Sequence, residues 1–352
     1  MSASEVVRQA VKVIQETPCP PLRIMEVCGT HTHEIFRLGI RSLLPEHVRL
    51  VSGPGCPVCV TPVEFIDEAV MLALDRGATI CTFGDLVRVP GTRVSLAEAR
   101  GEGARVVTVY APVDAEAYAV AHPGEEVVFL SVGFETTTPS DCLAVRAAAE
   151  DGIGNFSLLT SNKTMPGAYE AMRDSADAFL YPGHVHAITG TALCHELAEQ
   201  GVSGVVAGFT AAELTVALAT IVKRAAEGAP FFENCYPRVV RDEGNPQARA
   251  IIGEYMEPCD AEWRGIGVIE ASGLRLRERY AGFDARRKFD LPALHGRSNP
   301  ACRCGEILRG ACMPPDCPLF GRACTPEHPV GACMVSSEGT CSAYHMYGGD
   351  AR

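Results

Sequence analysis

Short runs rich in Val, Ile, Leu and Phe alternate along this chain with stretches whose apolar residues recur every three or four positions. Runs at Arg23–Val27, 48–52, Thr79–Phe83 and Arg105–Tyr110 predict strands, and the patterns at 32–44, 62–75, 95–100 and 114–121 predict the helices between them. His122-Pro123-Gly124 ends the series, and the rhythm restarts. Strands are expected at Glu126–Val132, Phe156–Ser161, Ala178–Tyr181 and Gly204–Ala207, alternating with helices at 139–150, 166–174, 187–200 and 210–226. Apolar strands that each lead into a helix read as parallel sheets covered on both faces. Eight strands could close a barrel. The polar break at 122–125 instead divides the pattern into equal halves. The expected fold class is therefore α/β, with two similar domains of four-stranded parallel sheets flanked by helices, at residues 1–121 and 122–232. Beyond residue 230 the rhythm fails. Pro246–Tyr255 reads as a helix, Val268–Glu270 as a strand, and the Arg-rich stretch 274–288 as a solvated face. From Pro292 the chain is loop-like and rich in Gly, Pro and Cys. Such a segment buries little apolar surface, so a metal or cluster is expected to staple a third domain, 233–352.

Length and charge narrow the class. A chain of 352 residues exceeds one ordinary core. The net charge of −12 argues against nucleic acid or an anionic membrane as the partner. No apolar run is long enough to span a bilayer. Met1–Glu16 reads as an amphipathic helix, with Val6, Ala10, Val13 and Ile14 on one face, rather than as a signal peptide. A cytoplasmic, reducing location is expected, in which the sixteen cysteines are metal ligands or redox thiols rather than disulfides.

The cysteines fall in telling places. Gly53–Pro62 reads G-P-G-C-P-V-C-V-T-P and sets Cys56 and Cys59 as a C-x-x-C between a strand and a helix. That edge of a parallel sheet is where ligands bind, and a helix N-terminus favours a thiolate. A zinc half-site or two buried thiols are the plainer alternatives. Cys28-Gly29-Thr30-His31 follows the first strand. There the cysteine is placed for a lowered pKa, and an imidazole three residues on can take its proton or orient a bound group. Glu135, in Gly133-Phe134-Glu135-Thr136-Thr137-Thr138-Pro139, adds acid/base capacity at another strand end, while Thr138 suits a helix cap. Pro182-Gly183-His184-Val185-His186 occupies the equivalent position after a third strand, although H-x-H alone is a poor metal signal. No P-loop, dinucleotide fingerprint or nucleophile elbow is present.

Seven of the sixteen cysteines crowd into Cys302–Cys341, which makes the tail the densest candidate for a metal. Cys302, Cys317, Cys324 and Cys341 are separated by fourteen, six and sixteen residues, with Cys304, Cys312 and Cys333 left over. Four cysteines can hold a 4Fe–4S cluster or a zinc ion. Zinc ligands are usually paired two to four residues apart, which these are not. A thiol–disulfide oxidoreductase that uses a 4Fe–4S cluster on a protein partner would explain the C-x-x-C and the tail, but not C-G-T-H or the Glu135 loop.

C-G-T-H at 28–31, G-P-G-C-P-V-C at 53–59, G-F-E-T-T-T-P at 133–139, P-G-H-V at 182–185 and the four spaced tail cysteines together resemble the HypD family of hydrogenase maturation factors. The resemblance implies a scaffold on which the Fe(CN)2(CO) group of nickel–iron hydrogenase is built. It implies that Cys28 binds Fe(II) carrying CN and CO together with the small chaperone HypC, with His31 beside it. Cyanide would come from HypE. Cys56 and Cys59 would form a redox dithiol, and Cys302, Cys317, Cys324 and Cys341 would ligate a 4Fe–4S cluster. Two α/β domains and a cluster domain are also implied.

Overall fold

In the computed structural model, which describes residues 2–348, the continuously apolar runs become strands. They are β1 (Leu22–Glu26), β2 (Val48–Ser52), β3 (Thr79–Thr82), β4 (Val106–Thr108), β5 (Val127–Ser131), β6 (Phe156–Thr160), β7 (Ala178–Pro182) and β8 (Ser203–Ala207), with a short β9 at Phe232–Asn234. Every residue of β5, β6 and β7 is buried, as expected of parallel strands with helices on both faces.

Two parallel sheets form, in the orders β2-β1-β7-β8-β9 and β4-β3-β5-β6. The α/β class holds, with five and four strands rather than four and four. The sheets do not follow a division at 121/122. The chain lays down β1 and β2, builds the whole second sheet, and returns to place β7 beside β1, pairing Ile24 with Ala178. The second sheet is thus an insertion in the first. The polar break at 122–125 is a turn within that insertion, where the Asn155 amide donates to the carbonyls of Ala119, His122 and Glu125.

Local sequence accounts for the flanking helices. Thr210 caps the helix Ala211–Glu227, its hydroxyl accepting from the Glu213 amide while the Glu213 carboxylate accepts from the Thr210 amide. The helix stops at Gly228, at φ +77°. Its buried stripe of Leu214, Ala217, Leu218, Ile221 and Val222 packs with Ala10 and Ile14 of the N-terminal helix Ala3–Glu16. Burying each large aliphatic side chain contributes about 1.5–3 kcal/mol. Among the described residues, no helix is long and apolar enough to cross a membrane.

Three features of the last third depart from expectation. The strand expected at Val268–Glu270 is one arm of an antiparallel hairpin, β10 (Met256–Trp263) and β11 (Gly267–Leu276). Its alternating polar face hides it from a search for continuous apolar runs. The Arg-rich stretch is not wholly solvated either. Arg286 makes a two-pronged pair with Glu68, at 2.9 and 2.7 Å, and donates to the Thr160 carbonyl, tying the tail to the inserted sheet. Residues beyond 292 also bury more than their composition suggests. Ile307, Leu308, Ala332, Met334, Val335 and Ala343 are all buried, and Thr340–Tyr347 forms a helix against Gly29–Arg37, where Tyr344 meets Phe36 edge-on.

Candidate functional site

β1 and β2 are neighbours in exact parallel register, Leu22 opposite Val48 through Glu26 opposite Ser52, so the loops after them emerge side by side. The Gly29 amide donates to the Gly55 carbonyl at 2.9 Å. Gly55 must be glycine, because a Cβ there would stand 2.1 Å from the Cys28 amide nitrogen. The C-G-T-H and G-P-G-C loops are therefore locked together through their backbones.

A cavity of about 210 Å³ opens over this junction. Cys28 and Thr30 line it from the first loop, Gly55 and Pro57 from the second, Phe134, Thr136 and Thr137 from the inserted sheet, and Pro182 and His184 from the end of β7. Glu338 reaches in from the tail and accepts from the Thr30 hydroxyl at 2.6 Å. Every strand-end loop singled out in the sequence thus meets here. Thr30, Thr136, Thr137 and His184 belonged to those loops without being chosen as site residues. Glu338 had no local signal, because only tertiary packing brings it within reach.

The chemistry at Cys28 differs from the sequence expectation. Burial pushes its thiol up to about 12, although the backbone amides of His31 and Thr30 and the Thr30 hydroxyl pull the other way. Desolvation outweighs the short helix behind it. His31 does not line the cavity. It is fully buried and stacks on Phe209, with one ring nitrogen, Nε2, 3.0 Å from the Gly208 carbonyl oxygen and the other without a partner. Burial lowers its pKa to about 4, so it is a neutral ring and a poor base for the thiol. Glu135 also stands behind the wall. Its Oε1 accepts from the Met165 amide at 2.9 Å, Oε2 is buried without a partner, and burial raises its pKa to about 7. A carboxyl balanced near neutrality can hold or release a proton.

Cys56 and Cys59 are both buried, at 4% and 0% exposure, rather than displayed on an open loop. Cys56 caps the one-turn helix Pro57–Val60, and its sulfur lies 2.6 Å from that of Cys59. Burial, then contact with Cys333 and Cys56, holds the Cys59 thiol well above its usual range. Cys333 in turn sits against Cys304 and Cys341, and Cys302 against Cys304. Two of the leftover thiols, Cys304 and Cys333, thus link the C-x-x-C to Cys302 and Cys341.

The four spaced cysteines offer the thiolate donors a cluster takes, although the thiols in direct contact are Cys302 with Cys304 and Cys333 with Cys304, Cys341 and Cys59. Cys317, Cys324 and Cys341 join one apolar core with Cys56 and Cys59, and Cys302 packs against it. Gly331 leaves a cradle beside them, since a Cβ on it would strike the sulfurs of Cys304 and Cys302 at 2.6 and 2.7 Å. The Val330 amide donates to the Cys324 sulfur at 3.3 Å. Among the described residues, no three His, Cys, Asp or Glu side chains converge on a single metal-ion position. A cluster binds one thiolate at each of its corners and needs no such convergence.

Comparison with known proteins agrees with this arrangement of motifs. The family model HypD, described as "Hydrogenase formation hypA family", matches residues 5–348. Hydrogenase maturation factor HypD of Azotobacter vinelandii is 45% identical over 338 residues, covering 93% of this chain and 89% of that protein. HypD of Escherichia coli K12 is 42% identical over 353 residues, covering 99% and 95%. HypD of Rhizobium leguminosarum bv. viciae is 42% identical over 359 residues, covering 98% and 93%. With its signature loops gathered on one cavity and a match along nearly its full length, the chain belongs to the HypD family of hydrogenase maturation factors.

Proposed function

We propose that the protein is the scaffold on which the Fe(CN)2(CO) group of nickel–iron hydrogenase is assembled, with Cys28 binding the iron. One observation carries this reading: Cys28 lines a small cavity whose wall is built from five separate segments of chain. The cargo is Fe(II), shared with a HypC-type small chaperone, and cyanide is delivered by a HypE-type donor. Burial raises the Cys28 pKa to about 12, so binding a metal there releases the thiol proton. A soft thiolate suits low-spin iron with strong-field ligands. His31 and Glu135 act from behind the wall. His31 pins the Gly208 carbonyl, and Glu135, raised towards neutrality by burial, is the carboxyl available to hold a proton.

Release of cyanide from a protein thiocyanate consumes two electrons. A dithiol supplies them: the thiocyanate and two thiols become a thiol, hydrogen cyanide and a disulfide. Cys56 and Cys59 are that dithiol, and Cys333 and Cys304 link it to the tail. Cys302, Cys317, Cys324 and Cys341 would hold a 4Fe–4S cluster, which would supply single electrons. The competing oxidoreductase reading accounts for the dithiol and the tail cysteines but gives no role to the five-segment cavity at Cys28.

Infrared spectroscopy of protein purified with its small chaperone tests this. Cys28→Ser is expected to fold and keep the cluster but lack the CN and CO bands. Undiminished bands would place the iron elsewhere.

A further inference from the structure

Arg264 is an arginine in the wrong place for a structural ion pair. It is 8% exposed and directly follows Trp263, which is fully buried. Its backbone amide donates to the Val60 carbonyl at 2.9 Å and its Nε to the Thr61 carbonyl at 2.7 Å. These bonds hold it against the end of the C-x-x-C helix. Nη2 is buried and has no partner. Among the described residues, Arg264 forms no ion pair within 4 Å. Removing a guanidinium from water without a counter-charge is costly, so the position calls for an anion.

The surroundings identify that anion. Arg264 lines a cavity of about 260 Å³ together with Cys302, Cys304 and Gly331. Two other arginines on the same wall are already occupied: Arg303 pairs with Glu306, and Arg309 donates to the Gly265 carbonyl. The turn after Arg264 is pressed onto the backbone of Gly305, which fixes the guanidinium beside the Cys302–Cys304 segment. Glu64 is an acidic neighbour: burial and the adjacent Glu262 raise its pKa while Arg264 pulls it down, yet it makes no ion pair with Arg264 within 4 Å and leaves Nη2 without a partner.

We propose that Arg264 supplies the buried positive charge that balances the 4Fe–4S cluster bound through Cys302 and sets its reduction potential. The inference rests on the cluster assignment made above. An iron–sulfur cluster with four thiolates is anionic, and it carries one more negative charge when reduced than when oxidised. A fixed cation therefore stabilises the reduced form more and raises the potential, as charge and hydrogen bonds near the sulfurs do generally. Arg264 acts on the cluster and touches no substrate. It makes the cluster easier to reduce, hence easier to recharge between rounds of cyanide release.

The test is an anaerobic redox titration of the reconstituted full-length protein, followed by the absorption and EPR of the cluster. R264Q is expected to bind the same iron and acid-labile sulfide as the wild type. At any fixed potential its ratio of reduced to oxidised cluster should fall about tenfold, a shift of about 59 mV to more negative values for a one-electron couple. R264K should restore most of that shift, because it returns the charge. The rise in melting temperature on cluster loading should also be smaller in R264Q than in the wild type. An unchanged midpoint in loaded R264Q would overturn the proposal. If R264Q fails to load but R264K loads, the requirement for charge stands. If neither loads, the guanidinium shape is structural and the proposal falls. Wild-type protein that binds no iron and sulfide would instead remove the cluster reading itself.

Discussion

Gly55 and Cys28 are in backbone contact: a single added methyl on Gly55 would come within 2.1 Å of the Cys28 amide nitrogen and 2.4 Å of its Cα. The loop that carries the dithiol therefore sets the position of the cavity cysteine. Gly55→Ala is expected to cost about 3 kcal/mol, because backbone on both sides resists the clash. Urea denaturation should show that loss. The same variant should lose the CN and CO infrared bands even at temperatures where it stays folded.

Cys317→Ala and Cys324→Ala should each remove the cluster and loosen residues 292–348 while the two sheets stay folded. Iron and acid-labile sulfide assays check the first outcome, and hydrogen exchange the second. The buried Ile307, Leu308 and Met334 limit the loosening, so the tail should exchange faster without unfolding. Full cluster content in both variants would refute the ligand assignment.

Cys333 touches both Cys59 and Cys304. Cys333→Ser should leave the cluster spectrum intact and slow reduction of an oxidised Cys56–Cys59 pair by at least tenfold. Timed alkylation after denaturing quench, read by peptide mass, measures this. Cys56→Ser should abolish hydrogenase maturation with the cluster unaffected.

Asp141 is buried, accepts from Ser131 at 2.7 Å and from Asn162 at 2.7 Å, and has its pKa raised by burial to about 7. Between its unfolded value near 3.8 and about 7, the native state holds a proton that the unfolded chain has lost. Stability from this group is therefore complete below about pH 4 and lost as pH rises through 7. Asp141→Asn keeps both acceptor contacts and removes the titration. Its slope of stability against pH should be smaller by about 1.4 kcal/mol per pH unit across that window. Denaturant titrations at several pH values test this, and an unchanged slope would refute it.

Much of this architecture is legible in the sequence. Continuous apolar runs such as Val127–Ser131 announce buried parallel strands, and Pro, Gly and Cys at their ends announce the loops of the cavity. Sheet membership is not legible, because Ile24 pairs with Ala178 across a long insertion and no local pattern encodes that partner. The raised pKa of the Cys28 thiol is not legible for a related reason. A helix start is visible in the sequence, whereas the burial that outweighs it depends on walls from distant segments. Glu338 and Arg264 are ordinary charged residues until packing sets one in the cavity and leaves the other with a buried nitrogen that has no partner.

The insertion of one sheet within the other also governs when the site can exist during synthesis. Cys28 is made early, β7 closes over β1 only after the whole second sheet has emerged, and Glu338 comes later still. At 5–20 residues per second, the roughly 310 residues from Cys28 to Glu338 take the ribosome about 15–60 s. Throughout that interval the wall around Cys28 lacks one or more of its five segments. The proposed iron site would reach its final geometry only after Glu338 has emerged, so the topology would defer capture of the cargo to a late stage of synthesis.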